Sequence, residues 1–330
     1  MICLHASLAS VAATRPEPRL TVVRAGALGD TILVLPVLQL LRDQVPGARL
    51  TLVGSAWAES LRPLLAFRLE TARIDDPALT PLFATPPLPE YPARGRVGSH
   101  LFRSADAVIV YTASPTADFV RNVIACCRGP VIVQSVTPPE GTHAAMHLAR
   151  AIVSGTLPLG DLPFPALRPP PDLEGWARQW VGGRVGVGGR TVAIHPGSGG
   201  RHKQWPPACF ATLAAEVGDP VVLLEGPADA EACREAASEM SPALPVALAA
   251  GLSLPQVAAL LSACRIYVGN DSGISHLAAA LGVPTVVVAG PTDPCLWRPL
   301  GPRVAVVRPD GGSAWPTPAA VLLAARRLEA

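Results

Sequence analysis

An α/β architecture, with parallel strands in two domains, is predicted by three observations. The apolar run Leu20 to Arg24 leads through a glycine-containing turn into a helix from about Thr31 to Gln44 and a second strand, Arg49 to Val53. The same strand, turn, helix and strand return near the other end as Ile266 to Val268, Ser275 to Leu281 and Thr285 to Ala289, with Gly282 and Pro284 stopping the helix. Finally, 330 residues suffice for two domains of ordinary size, each burying its own core. Sheets of this kind take their ligands outside the carboxyl ends of the strands.

Between these ends the elements follow in order. After Gly54 a helix-like stretch runs to Leu65, and the proline-rich segment Pro77 to Pro92 is expected to be surface loop. Ala107 to Tyr111 and Val131 to Gln134 read as strands flanking a helix, Phe119 to Arg128. Thr142 to Val153 reads as a helix with His143 and His147 on one face. With no HExxH glutamate beside them, surface or acceptor contact is favoured over metal ligation. Residues 157–172 are too dense in proline for helix or central strand and are expected to link the domains. Glu174 to Val181 reads as helix and the glycine-rich run from Val181 to Arg190 as a mobile loop.

The second domain opens on the strand Thr191 to Ile194 and continues through Val221 to Leu224, a helix Ala230 to Glu239, and a helix Leu254 to Ser262 marked by Ser253 and Pro255. Val304 to Arg308 is the final strand and Pro318 to Leu328 the tail helix.

Composition narrows the function. A formal net charge of +2 gives no argument for nucleic acid, and no apolar run reaches the roughly 18 residues of a spanning helix. Seven scattered cysteines, without disulfide or zinc spacing, favour a reducing cytoplasm. Met1 to Arg19 carries an apolar stretch with no Lys or Arg before it, and is expected to be a disordered extension or the result of an upstream start codon. Of 27 basic residues all but Lys203 are arginine, which suggests that the guanidinium fork does not suit that position.

Three loops carry candidate chemistry. Gly269-Asn270-Asp271-Ser272-Gly273 opens a helix whose first N–H groups face outward, either as a capped structural turn or as a seat for phosphate. Pro196 to Pro206 offers a hydroxyl, open backbone N–H groups and Lys203 ahead of a helix starting near Pro207, which together suit a diphosphate. Asp30, at the start of the first helix, serves either as a helix cap or as a catalytic carboxylate at a strand's carboxyl end.

Taken together, Gly29-Asp30, HPGSGGRHKQWP from His195 and NDSGISHLAAALGVPTVVVAGPTDP from Asn270 resemble glycosyltransferase family 9, the ADP-heptose:lipopolysaccharide heptosyltransferases. The resemblance spans about Leu20 to Arg308 and is sharp at these motifs. It implies a GT-B fold, two Rossmann-like domains with parallel sheets facing across a cleft. The acceptor domain would be 20–156 and the donor domain 173–330, with a tail helix that often crosses back. It also implies metal-free, inverting transfer of heptose from ADP-heptose, no cofactor, a glycolipid or saccharide acceptor, and contact with the cytoplasmic face of the inner membrane.

By the same resemblance Asp30 matches the catalytic base, Lys203 the lysine on the donor phosphates and Ser198 the hydroxyl of that loop. Asp271, Ser272, Gly273 and His276 match the helix-start motif that holds the nucleotide sugar, and Leu252 an apolar contact to adenine. Two other readings stay open: a GT-B enzyme acting on a different nucleotide sugar, an epimerase included, and a nucleotide-sugar binder without catalysis. No motif identifies the acceptor surface; Arg62, Arg94, Arg96 and Arg103 are expected to be mostly solvated, with pairing to acidic sugars or phosphates as the alternative.

Overall fold

The structure is a computed structural model that describes residues 3–85, 97–155, 157–164, 166–186, 190–290, 293–310 and 312–329. Its strands are β1 (Cys3–Leu4), β2 (Arg19–Arg24), β3 (Arg49–Gly54), β4 (Glu70–Arg73), β5 (Ala107–Thr112), β6 (Val131–Ser135), β7 (Val153–Ser154), β8 (Val192–His195), β9 (Val221–Leu224), β10 (Val246–Ala249), β11 (Ile266–Asn270), β12 (Thr285–Val288) and β13 (Val304–Val307). The chain divides into two compact units, Met1–Arg62 with Phe67–Pro165, and Pro63–Ala66 with Ala166–Ala330.

The first unit holds a parallel sheet in the order β4-β3-β2-β5-β6. The middle of its central strands is largely apolar because helices cover both faces. Val23, Val53, Val108 and Val110 pack with Phe102, Phe119 and Val123 in one core cluster. The order reverses between β2 and β5, the crevice where α/β sheets bind ligands. The helix expected from Thr31 to Gln44 is two helices, Leu28–Leu33 and Leu35–Gln44, joined at Val34, because Pro36 has no N–H for an unbroken ladder.

The segment to Arg19 is not a disordered extension in the structure: β1 pairs antiparallel with β7, and Ala6–Thr14 is a helix that buries Leu8. His143 and His147 are buried rather than superficial. His143 caps the short helix Ala144–Ala149 by accepting from Ala145 N–H, and the His147 ring lies 2.7 Å from the Ser135 carbonyl oxygen. Pro77–Phe83 is a 3₁₀ helix. The remainder of the proline-rich segment, with Arg94 and Arg96, lies outside the described residues.

The second unit holds a parallel sheet in the order β10-β9-β8-β11-β12-β13, the doubly wound order, which reverses between β8 and β11. Ile194, Leu223, Val268 and Val286 are fully or almost fully buried beside Trp205 and Phe210. The glycine-rich run begins as helix, not as mobile loop: Pro171–Val185 continues through Gly182 and Gly183, with Val181 and Val185 buried and Arg184 stacked on Trp180 at 4.4 Å. Residues 187–189 of that run lie outside the described residues. The tail helix Pro318–Glu329 packs on the helix Pro207–Val217 and on β12 and β13 of its own unit, with Val321 and Ala325 in that core, instead of crossing back.

Candidate functional site

In the first unit, Asp30 stands in the opening turn of the helix that follows β2, at the sheet's reversal point. Its Oδ1 accepts from Arg24 Nη2 at 2.6 Å and its Oδ2 from the Ala27 N–H at 3.0 Å. Arg24 ends β2 with its side chain almost buried. Burial lowers its affinity for its proton, and the charge of Asp30 and then the Tyr111 hydroxyl oppose that loss. The turn is tight: a Cβ on Gly26 would meet the Asp30 carboxylate at 2.6 Å, so glycine lets the backbone close under it. The carboxylate therefore has a fixed direction, with oxygen lone pairs left to accept a proton.

In the second unit, the loops after β8 and β11 adjoin each other because those strands are neighbours. Asn270, wholly buried at the end of β11, ties them together. Its Nδ2 donates to the Pro196 carbonyl at 2.8 Å and the Gly197 carbonyl at 3.3 Å, while its Oδ1 accepts from the Trp205 N–H at 2.9 Å. Both ends of the loop are thus fastened to one side chain. Trp205 anchors the far end: its indole donates to the Pro316 carbonyl at 3.0 Å and its ring meets Phe210 edge-on.

Ser198 and Lys203 lie on this clamped loop. The Ser198 Oγ is buried and has no hydrogen-bond partner among the described residues, a costly state for a hydroxyl unless a ligand supplies one. Lys203 ends a 3₁₀ turn, Arg201–Lys203, and its ammonium is in no ion pair among the described residues. Arg201, two residues earlier, is held outward by Glu231 and Glu235.

Across from them Ser272 caps the helix Gly273–Ala280, its backbone extended and its side chain making no capping bond, so the first amides of that helix point out of the loop. Asp271 is half-buried beside it, and His276 is buried in the helix's first turns. Leu252 lies in the loop after β10 and is separated from β8 by β9. Two strand spacings place it about 10 Å from β8 along the sheet edge. Pro291 and Thr292 of the GPTDP turn lie outside the described residues.

The structure adds polar residues that the motifs did not single out. His195 ends β8 almost fully buried, its Nε2 3.0 Å from Asp229 Oδ2 and its Nδ1 3.3 Å from Ser272 Oγ. Asp229 Oδ2 also accepts from the Gly226 N–H at 3.1 Å. Burial works against the Asp229 charge, but the hydrogen bond from His195 and the Gly226 amide help to outweigh it, holding the carboxyl below its ordinary range. A Cβ on Gly197 would meet this carboxylate at 2.2 Å. Because the folded-state value is depressed, the stabilisation exists above the ordinary carboxylate range and is lost as pH falls through the folded value. Asp229→Asn therefore lowers the melting temperature at pH 7, and the gap from wild type closes below about pH 4, as thermal melts across that range would register.

A further cavity lies elsewhere. It is a space of about 680 Å³ lined by Arg15, Arg19, Arg103, Asp106 and Arg128, at the amino ends of β2 and β5 and so at the opposite edge of the sheet from Asp30. No helix among the described residues is long and apolar enough to cross a membrane.

Comparison with known proteins bears on the second unit most directly. Residues 177–316 match the family model described as glycosyltransferase family 9 (heptosyltransferase). Lipopolysaccharide heptosyltransferase 2 of Escherichia coli K12 is 31% identical over 157 residues, 45% of this chain and 45% of that protein. The matched stretch thus spans under half that relative's length. Lipooligosaccharide heptosyltransferase 2 of Haemophilus influenzae is 26% identical over 85% of this chain and 86% of its own. The solved structure of E. coli ADP-heptose lps heptosyltransferase II superposes with a TM-score of 0.75 at 22% identity, covering 94% of this chain and 98% of that one. At that identity the likeness is one of fold, the GT-B class.

Proposed function

We propose that the chain is a member of glycosyltransferase family 9 and that it moves a heptose from an ADP-sugar to a saccharide of the lipopolysaccharide type, with inversion at the anomeric carbon. The observation that carries this reading is the clamped loop of the second unit. There Ser198, a buried hydroxyl without a partner among the described residues, and Lys203, in no ion pair among them, lie on the loop that follows β8, next to the strand that leads into the Gly273–Ala280 helix, at the reversal point of the sheet.

These groups suit a diphosphate. As the glycosidic bond lengthens, negative charge gathers on the leaving ADP, and Lys203, Ser198 and the Gly273 amide stabilise it. The same groups carry charge that a divalent cation carries in other nucleotide-sugar enzymes, so no metal or cofactor is assigned to the reaction. The adenine extends towards Leu252, about 10 Å along the strand ends. Asp271 and His276 bracket the helix start that holds the nucleotide sugar.

Asp30 acts as the general base. An acceptor hydroxyl is a poor nucleophile until its proton is taken, and the carboxylate, fixed by Arg24 and the Ala27 amide, receives it as the new C–O bond forms. The sugar goes to the acceptor oxygen, the bonding electron pair to the diphosphate and the proton to Asp30. The acceptor is a glycolipid or its saccharide, met at the cytoplasmic face of a membrane.

The test is product formation from a panel of ADP, UDP and GDP sugars with a lipid-A-core saccharide, read by mass spectrometry in buffer containing EDTA. Transfer from ADP-heptose is expected. Lys203→Ala is expected to lower kcat by about 10²–10³-fold, the scale of removing one charge-stabilising group from a transition state. No product from any donor, or product only with a UDP or GDP sugar, would reject the assignment.

A further inference from the structure

The second unit contains a buried relay that the diphosphate seat alone does not require: Asp229, His195 and Ser272 in hydrogen-bonded series. A carboxylate only accepts, so the His195 Nε2 must carry a hydrogen and donate it to Asp229. In the neutral imidazole Nδ1 is then a bare lone pair, and the Ser272 hydroxyl, 3.3 Å away, donates its hydrogen inward to it. A phosphate arriving at the helix start would meet oxygen lone pairs on Ser272 rather than a donor.

One added proton reverses the series. With Nδ1 protonated, the imidazolium donates to Ser272 Oγ, which releases the Ser272 hydrogen to the ligand in competition with Ser275 Oγ, 3.4 Å away. We propose that binding of a nucleoside diphosphate draws one proton from solvent onto His195, which thereby acts as a positioning residue that converts Ser272 into a phosphate donor. The proton returns to solvent when the diphosphate leaves, and no other bond changes. The inference rests on the donor seat described above.

The surroundings fit a charge that appears only with the ligand. His195 is 3% exposed, so an imidazolium there needs anions close by. Asp229, from the loop after β9, touches it, and Glu225 from the same loop lies close enough to act, with Asp229, on the Cys233 thiol. From β11 and the turn after it come Tyr267 and Asp271, the latter acting with Asp229 on the Tyr267 hydroxyl. Burial raises Tyr267 and pushes Cys233 up to about 12, so both stay neutral at physiological pH. The loop after β8 contributes the opposing cation, Lys203, and the phosphate's negative charge offsets it.

Calorimetric titration of the whole protein with ADP, at pH 7.5 in buffers of differing ionisation enthalpy, counts the protons exchanged. Wild type is expected to take up close to one more proton per ADP than His195→Gln, whose amide cannot be protonated there; the titration of ADP itself is common to both and cancels. His195→Gln is expected to bind about tenfold more weakly, the cost of one charge-assisted hydrogen bond. Ser272→Ala, which removes only the hydroxyl, is expected to abolish the extra uptake as well and serves if His195→Gln does not fold. Equal proton counts in wild type and variant, with ADP bound, overturn the relay and leave the donor seat standing. Failure of wild type to bind ADP overturns both.

Discussion

Asp30→Ala is expected to lower kcat by about 10²–10⁴-fold, the range spanned by general-base catalysis, while the affinity for ADP stays unchanged. The separation follows from where the residues sit: Asp30 belongs to the first unit, whereas Ser198, Lys203 and Ser272 belong to the second. The alanine variant also strips the nearly buried Arg24 guanidinium of its ion pair, so a loss of rate alone would not distinguish chemistry from folding. Asp30→Asn answers that. Its amide oxygen still accepts from Arg24 or Ala27 but takes no proton from an acceptor, so it should retain the wild-type melting temperature more closely and remain nearly as slow. Steady-state kinetics paired with thermal melts of the two variants separate these effects; an asparagine variant that turns over at the wild-type rate removes Asp30 from the chemistry.

The second large effect is on stability. Asn270→Ala removes the side chain that holds both ends of the loop after β8, leaving the Trp205 N–H and the Pro196 carbonyl without a buried partner. Each orphaned group costs about 1–3 kcal/mol, so a loss of about 3 kcal/mol or more in unfolding free energy is expected by chemical denaturation. Because Ser198 and Lys203 lie between the two fastened points, ADP affinity should fall with it, by more than about tenfold. A variant with wild-type stability and weakened ADP binding would mean that Asn270 meets the ligand directly rather than clamping the loop.

Asn270 also marks how far the amino-acid sequence discloses this site. The periodicity of Leu20–Arg24, Thr191–Ile194, Val221–Leu224 and Ile266–Val268 identifies the central strands, because helices on both faces require unbroken apolar runs. The edge strands β4 and β10 escape it: β4 is the polar run ETAR and β10 has Leu248 exposed, so neither shows a buried pattern. Glycines mislead where packing overrides propensity, as in Pro171–Val185, whose apolar residues dock on the helix Leu254–Ala263 strongly enough to carry Gly182 and Gly183.

At the site, the loop residues are legible because their types suit an anion, whereas the groups that orient them are not. Arg24, His195 and Asn270 each occupy the last position of a buried strand, where a polar side chain is buried at cost unless it is bonded. That position is the signal sequence reading passed over. Asp229 shows none, since a single acidic residue before a helix reads as a cap; only the approach of β8 and β9 brings it to His195.

The most direct test of the account is a crystal structure with ADP bound. The diphosphate is expected against Ser198, Lys203 and the Gly273 amide, at the carboxyl ends of β8 and β11, with the adenine towards Leu252. ADP seated in the 680 Å³ cavity beside Arg15, Arg103 and Arg128, with the clamped loop empty, would contradict it.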